Sequence, residues 1–249
     1  MNKYLKNLEK IEFVVTDGCT GRCKHCSQGE HRGFGECIDP MAAARAVRSV
    51  CGSFPIKTVM AFGGEPLLHP EAVYAIMDAA SECGVARRQL ITNGFFTSDR
   101  EKMADVAKRL SQCGVNDLLL SVDAFHQETI PLDTVKDFAK FTLEMGIPVR
   151  LQPAWLVSPD DLNAYNLKTR EILNELSDLG LEIGSGNIVF AEGNAKKYLA
   201  KYFDENLPQN PYVEDVCDVK CLSVESNGNV LGGNICAEDI MEIIKKYEP

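Results

Sequence analysis

Short apolar runs alternate with longer segments of helical period along most of the chain, and glycine punctuates the pattern. Gly52, Gly84, Gly114, Gly146 and Gly180 each close a helical segment, and successive members of the series stand 32, 30, 32 and 34 residues apart. Glycine is favoured just past a helix because it takes the left-handed conformation that satisfies the last carbonyls. So even a spacing predicts one strand–helix unit per interval. Strands are expected over 11–16, 57–61, 88–91, 117–122, 148–153 and 181–190, each ahead of a helical segment. Helix starts agree: Asp39-Pro40 reads as an N-cap with proline at the first helical position, and Ser98 to Glu101 has the form of a capping box.

Strands that alternate with helices pair in parallel through right-handed crossovers. Six strands are too few to close an eightfold barrel. The expected fold is therefore α/β, a partial (β/α)6 TIM-type barrel over 1–195, with its chemistry at the C-terminal ends of the strands. Beyond 195 the texture changes to a polar, proline-containing linker over 204–211, three cysteines and a turn-rich stretch over 225–234. Asn227-Gly228 is a hairpin signal. A small C-terminal hairpin-containing domain is expected over 196–249.

A chain of 249 residues can bury a large core, and its formal charge of -10 argues against a general nucleic-acid binder, which needs a basic face. No charged-then-apolar leader opens the sequence, and no apolar run approaches the roughly 18 residues of a membrane span. A soluble, cytoplasmic protein without a membrane partner is expected. Ten cysteines in a reducing compartment favour metal ligation or free thiols over disulfides.

Cys19, Cys23 and Cys26 follow the first strand at C-x3-C-x2-C spacing. Iron–sulfur cubanes are held by cysteine thiolates, normally four, so three leave one iron open to a ligand that is not protein. The run resembles the signature of the radical S-adenosylmethionine (SAM) superfamily, in which SAM chelates that iron through its amino and carboxylate groups. Gly63-Gly64-Glu65 after the second strand resembles the family's GGE motif beside the SAM methionine. Thr92-Asn93 and Ser121 end the third and fourth strands and are similar to segments near SAM. Asp123 and His126 follow, where relatives place side chains facing SAM or substrate. Arg150 on the fifth strand stands where a basic partner for the SAM carboxylate occurs. His25 occupies the position of an aromatic residue against adenine.

The segment 188–195 resembles a strand that lines adenine and then a Gly-Arg-Ala segment, with Asn194 in place of the arginine. Ordinary readings stand beside these. Gly-Gly-Glu-Pro and Thr-Asn-Gly are also common turns, a loop histidine is usually hydrogen-bonded structure, and Arg150 reads equally well as a solvated side chain.

Cys217, Cys221 and Cys236 form a second set, similar to the twitch or SPASM extension of the same superfamily, which carries an auxiliary 4Fe-4S cluster; zinc or free thiols are the alternatives. Cys37 stands apart as an auxiliary ligand, a hydrogen-atom donor or a bystander. Cys51, Cys83 and Cys113 read as small buried hydrophobes.

The resemblance implies an enzyme with SAM and a 4Fe-4S cluster that cleaves SAM reductively to a 5'-deoxyadenosyl radical for hydrogen abstraction. A flavodoxin or ferredoxin is the implied electron donor. A ribosomally made peptide or protein side chain is the expected substrate, with a small metabolite or nucleotide as the alternative. An iron–sulfur electron carrier without catalysis is the reading from another class.

Overall fold

The computed structural model describes residues 2–31, 35–203 and 210–249, so positions 204–209 of the expected linker lie outside the described residues. Five strands lie side by side in parallel: β1 (Lys10–Val14), β2 (Thr58–Phe62), β3 (Arg87–Thr92), β4 (Asp117–Ser121) and β5 (Val149–Gln152). The crossovers between them are α1 (Pro40–Cys51), α2 (Pro70–Glu82), α3 (Arg100–Gln112) and α4 (Leu132–Glu144). Alternation along the strands decides which face meets the helices. Ile11, Phe13, Val59, Leu90, Leu118, Leu120, Val149 and Leu151 join the helical side chains in one buried core. The alternate positions, among them Glu12, Gln89, Asp117, Ser121, Arg150 and Gln152, therefore lie on the opposite, inner face.

The sixth strand, expected as one run over 181–190, is broken. After β6 (Ala154–Trp155) and α5 (Ala164–Asn174), β7 (Glu182–Ile183) pairs with β5, whereas β8 (Asn187–Ile188) pairs with β6. Gly186, between the two pieces, lies against the junction of β5 and β6: a Cβ there would lie 2.4 Å from the Pro153 carbonyl oxygen. The short α6 (Gly193–Tyr198) follows.

The segment after 195, expected as an appended unit, extends the same sheet. β9 (Cys221–Val224) pairs in parallel with the outer edge of β1, placing Leu222 opposite Ile11, so the strand order is β7-β5-β4-β3-β2-β1-β9. An uncovered β1 would leave a row of unpaired backbone groups beside the site; β9 satisfies them. The chain then forms β10 (Asn229–Val230), β11 (Gly233–Asn234) and α7 (Ile240–Lys246). Leu222, Val224, Ile240, Ile243 and Ile244 belong to the same core as Ile11 and Val47. The result is an open, partial TIM-type barrel.

Local signals are mostly where the sequence put them. Asp39 caps α1 by accepting from the Ala42 amide at 2.6 Å. The cap of α3 is Asp99, one residue later than expected, because its carboxylate reaches the Glu101 and Lys102 amides. Gly84, Gly114, Gly146 and Gly180 have positive φ, but Gly52 keeps a right-handed helical conformation. Asn227-Gly228 makes a tight turn out of β9, and the β10–β11 ladder turns later, at Leu231-Gly232. Among the described residues no helix is long and apolar enough to cross a membrane.

Candidate active site at the carboxyl ends of the strands

The three-cysteine loop leaves the end of β1 and lies at the carboxyl end of the sheet. The Cys19 sulfur accepts from the Gly21 amide at 3.3 Å and from Asn93 Nδ2 at 3.6 Å. Cys23 is buried, and the Cys26 sulfur lies 3.3 Å from His31 Nε2. A Cβ on Gly21 would stand 3.2 Å from the Cys23 sulfur and 3.7 Å from that of Cys19, so both thiols flank the same short backbone turn. Burial pushes the Cys19 thiol up to about 11 and raises that of Cys23 as well.

Gly63 and Gly64 are both required by this loop, and Gly63 also by its own backbone, which adopts φ +138. An added Cβ at Gly64 would lie 2.1 Å from the Gly18 carbonyl oxygen, and one at Gly63 would lie 2.7 Å from that of Thr16. The backbones instead exchange hydrogen bonds, from the Gly64 amide to Thr16 at 2.7 Å and from the Glu65 amide to Gly18 at 2.8 Å. Glu65 is fully buried, and its carboxylate accepts from the Leu67 amide, the Thr92 hydroxyl and the Asn93 amide at 3.0, 2.7 and 2.8 Å. Burial outweighs these donors and pushes its carboxyl up to about 7. Thr92 thus holds Glu65, and Asn93 links the end of β3 to Cys19 and, at 3.2 Å, to the Thr20 hydroxyl.

Beyond β4, whose last residue is the half-buried Ser121, Asp123 is fully buried. Its two oxygens accept from the backbone amides of Phe125, His126 and Ala154 and from His126 Nδ1 at 2.8 Å. Burial alone would raise its carboxyl; the His126 imidazole overcomes this and holds it well below the usual range. Asp123 therefore orients His126 rather than facing an open site, and its carboxylate fixes Nδ1 as a donor. The His126 ring packs 4.8 Å from His25, which also lies 4.8 Å from Phe125. Burial drives the His25 imidazole down to about 4, and its Nδ1 is buried without a hydrogen-bond partner.

Other expected residues lie elsewhere. Arg150 turns towards the amino end of β4, where both oxygens of Asp117 accept from its guanidinium at 2.8 and 2.9 Å, so it does not reach the cysteine loop. Asp117 captures it because it is nearly buried and also gathers Arg87 and Gln89. Cys221 and Cys236 are not brought together. Cys221 opens β9 beside Glu12 on the inner face, whereas Cys236 lies past the far end of that strand, its sulfur near Gly228. Cys37 is half-buried opposite Thr16, next to the loop. Of the three cysteines read as buried hydrophobes, Cys113 is buried, Cys51 half-buried and Cys83 exposed, although all three lie at helix C-termini.

Two residues were not legible as site members. His31 bridges Cys26 and the Asp17 carbonyl oxygen, 2.5 Å from its Nδ1, and nothing in the sequence marked it. Asn194 had one signal, its departure from the resembled Gly-Arg-Ala segment, and its side chain reaches the Cys23 carbonyl.

The donor set suits an iron–sulfur cluster. Three free thiols line one loop, its burial disfavours bare thiolates that a cationic metal would stabilise, and the orphaned His25 nitrogen points to an absent polar partner.

Fold and loop together define the class, a partial parallel barrel with a thiolate-rich loop at the carboxyl ends of its strands. Residues 13–151, more than half of the chain, match the Radical SAM superfamily, and the chain belongs to that superfamily. It is similar to the GTP 3',8-cyclase of Clostridium perfringens strain SM101, 28% identical over 129 residues that span 51% of this chain and 38% of that protein. The GTP 3',8-cyclase of Clostridium acetobutylicum is 26% identical over 226 residues, 82% of this chain and 67% of that protein. The match thus spans well under half the length of the first of these relatives.

Among solved structures, native anSMEcpe with bound AdoMet superposes with a TM-score of 0.60 at 14% identity, over 97% of this chain and 81% of that one. Streptococcus suis SuiB bound to S-adenosylmethionine gives 0.57 at 13% identity, over 95% and 65%. At these identities the likeness is one of fold.

Proposed function

We propose that the protein is a radical SAM enzyme in which Cys19, Cys23 and Cys26 hold one 4Fe-4S cluster and SAM lies between that loop and the ends of β2, β3 and β4. The observation that carries this is the convergence of three thiols, the Gly63-Gly64 backbone and Asn93 on one end of the sheet. When bound, such a cluster would supply the electron for reductive cleavage of SAM and for the hydrogen abstraction that follows.

The chain's own residues bind and orient. Gly63 and Gly64 keep the backbone close to the loop, Glu65 ties β2 to β3, and Asn93 steadies Cys19. His25 offers a neutral ring face for adenine, and Ser121 stands at the mouth. Asp123 presents His126 Nε2 as a proton acceptor or donor beside substrate. A second cluster is left out of this reading because Cys221 and Cys236, two of its three cysteines, lie at opposite ends of β9.

A peptide or protein side chain is the proposed substrate, supported by the near-complete overlap with a structure of anSMEcpe with bound AdoMet and Cp18Cys peptide. A small nucleotide is the second reading, favoured by the GTP 3',8-cyclases among the sequence relatives. Electrons come from a carrier of the flavodoxin or ferredoxin class.

The test is anaerobic reconstitution, reduction with dithionite in the presence of SAM, and chromatography for 5'-deoxyadenosine. The nucleoside is expected from the native chain and not from a triple alanine variant of Cys19, Cys23 and Cys26. Equal traces from both would sink the reading.

A further inference from the structure

The last strand–helix unit of the barrel reaches back over the first loop. Asn194, in the first turn of α6, is only 7% exposed. Its side-chain amide donates to the Cys23 carbonyl at 3.0 Å, and its backbone amide donates to the Cys26 carbonyl at 2.9 Å. Each of those carbonyls accepts one other hydrogen bond, from Cys26 and Gly29 respectively, and both of these are long at 3.3 Å. Gly193 brings Asn194 close enough. It adopts φ +49, and a Cβ there would lie 2.4 Å from the Ser27 carbonyl oxygen and 2.6 Å from that of Cys26, so any other residue would lift α6 off the loop.

We propose that Asn194 is a positioning residue of the cysteine loop, a two-point clamp that fixes the peptide planes after Cys23 and Cys26 and so aims two of the three thiols. A carbonyl's direction sets the dihedrals on either side of it, and with them the Cα–Cβ vectors of neighbouring residues. Loop-internal bonds at the long end of the normal range hold those planes weakly. The amide of Asn194 supplies the shorter, buried partner from an element anchored in a second buried cluster, where Ala195 and Leu199 pack with Phe125, Ala154 and Leu156 as well as Cys23. The inference rests on the reading of Cys19, Cys23 and Cys26 as cluster ligands, but the clamp itself exists in the metal-free chain and is tested there.

Two variants separate hydrogen bonding from packing. Asn194→Ala removes the side-chain donor. Asn194→Asp keeps the shape and turns the donor into an acceptor aimed at the Cys23 carbonyl. In the metal-free protein, pulse alkylation with iodoacetamide read by mass spectrometry is expected to label Cys23 several-fold faster in both variants, and Cys26, whose carbonyl still meets the backbone amide of residue 194, to change less. Exposed Cys83 serves as the unchanged control. After anaerobic reconstitution, iron and sulfide per chain are expected to fall at least as far in Asn194→Asp as in Asn194→Ala. The electron paramagnetic resonance signal of the residual reduced cluster is expected to broaden as its ligands take several arrangements.

Melting of the metal-free variants within a few degrees of the native chain is expected, because the clamp holds a loop and not the core. Native alkylation rates in both variants would overturn the clamp, as would an Asp variant that matches the native chain while the Ala variant does not, since shape alone would then suffice. Uniformly faster labelling of all buried thiols, with a large fall in melting temperature, would also overturn it. A native chain that binds no cluster, with Cys23 and Cys26 still protected by Asn194, would instead sink the proposed function and leave the clamp standing.

Discussion

Glu65 shows how one residue can be legible by type and still surprise by role. The motif Gly63-Gly64-Glu65 pointed to a ligand-binding turn, and the structure gives its carboxylate three internal donors and no exposed surface. Its carboxyl rises from 4.5 to about 7. The folded chain thus holds a proton that the unfolded chain releases, so stability falls as pH rises from about 4.5 to about 7, by on the order of 3 kcal/mol, and is level above that. His25, held neutral by burial with its imidazole near 4, acts in the opposite sense below its unfolded value of 6.5. The difference between the native chain and Glu65→Gln isolates Glu65. Denaturant melts between pH 5 and 8 are expected to show the native chain losing stability relative to the variant as pH rises; parallel curves would contradict the assignment.

Arg150 teaches the reverse lesson. Its face of the strand follows from alternation with Val149 and Leu151, but which acid it meets depends on Asp117, a residue 33 positions away that no local pattern could single out.

At the scale of the element, local chemistry carried far. α1 and α3 begin close to where their caps were expected, and α1 to α4 each end within two residues of the punctuating glycines, because capping and helix termination are satisfied within a few residues. The shift of the α3 cap from Ser98 to Asp99 is the kind of detail that competition between adjacent capping residues decides. Asp99→Ala is expected to cost about 1 kcal/mol of stability in chemical denaturation, and Ser98→Ala only a few tenths. If Ser98 proved the costlier change, the cap would belong where the sequence first put it. The sixth strand was misjudged as one element because apolar content over 181–190 is indifferent to pairing. Close packing at Gly186 against Pro153 and Trp155 divides it between two partners.

At the scale of the whole molecule, the C-terminal segment is part of the barrel's own core. Leu222 is fully buried opposite Ile11, and Leu222→Ala is expected to destabilise the chain by about 2–5 kcal/mol. The shift should appear equally in circular dichroism and in the fluorescence of Trp155, the only tryptophan, which sits outside that sheet in the short β6–β8 ladder. A Trp155 transition left in place while part of the ellipticity melts early would mean that the segment folds as a separate unit.

By itself the sequence determined the α/β rhythm, the parallel barrel and the three-cysteine loop, since periodicity, caps and ligand spacing act over a few residues. Only the tertiary structure decided that Asn194 closes over Cys23, that Asp117 holds Arg150, that β9 covers β1, and that Cys221 and Cys236 stay apart. Those outcomes depend on which distant segments share a sheet edge or a strand end, and a linear pattern of residues carries no direct record of that.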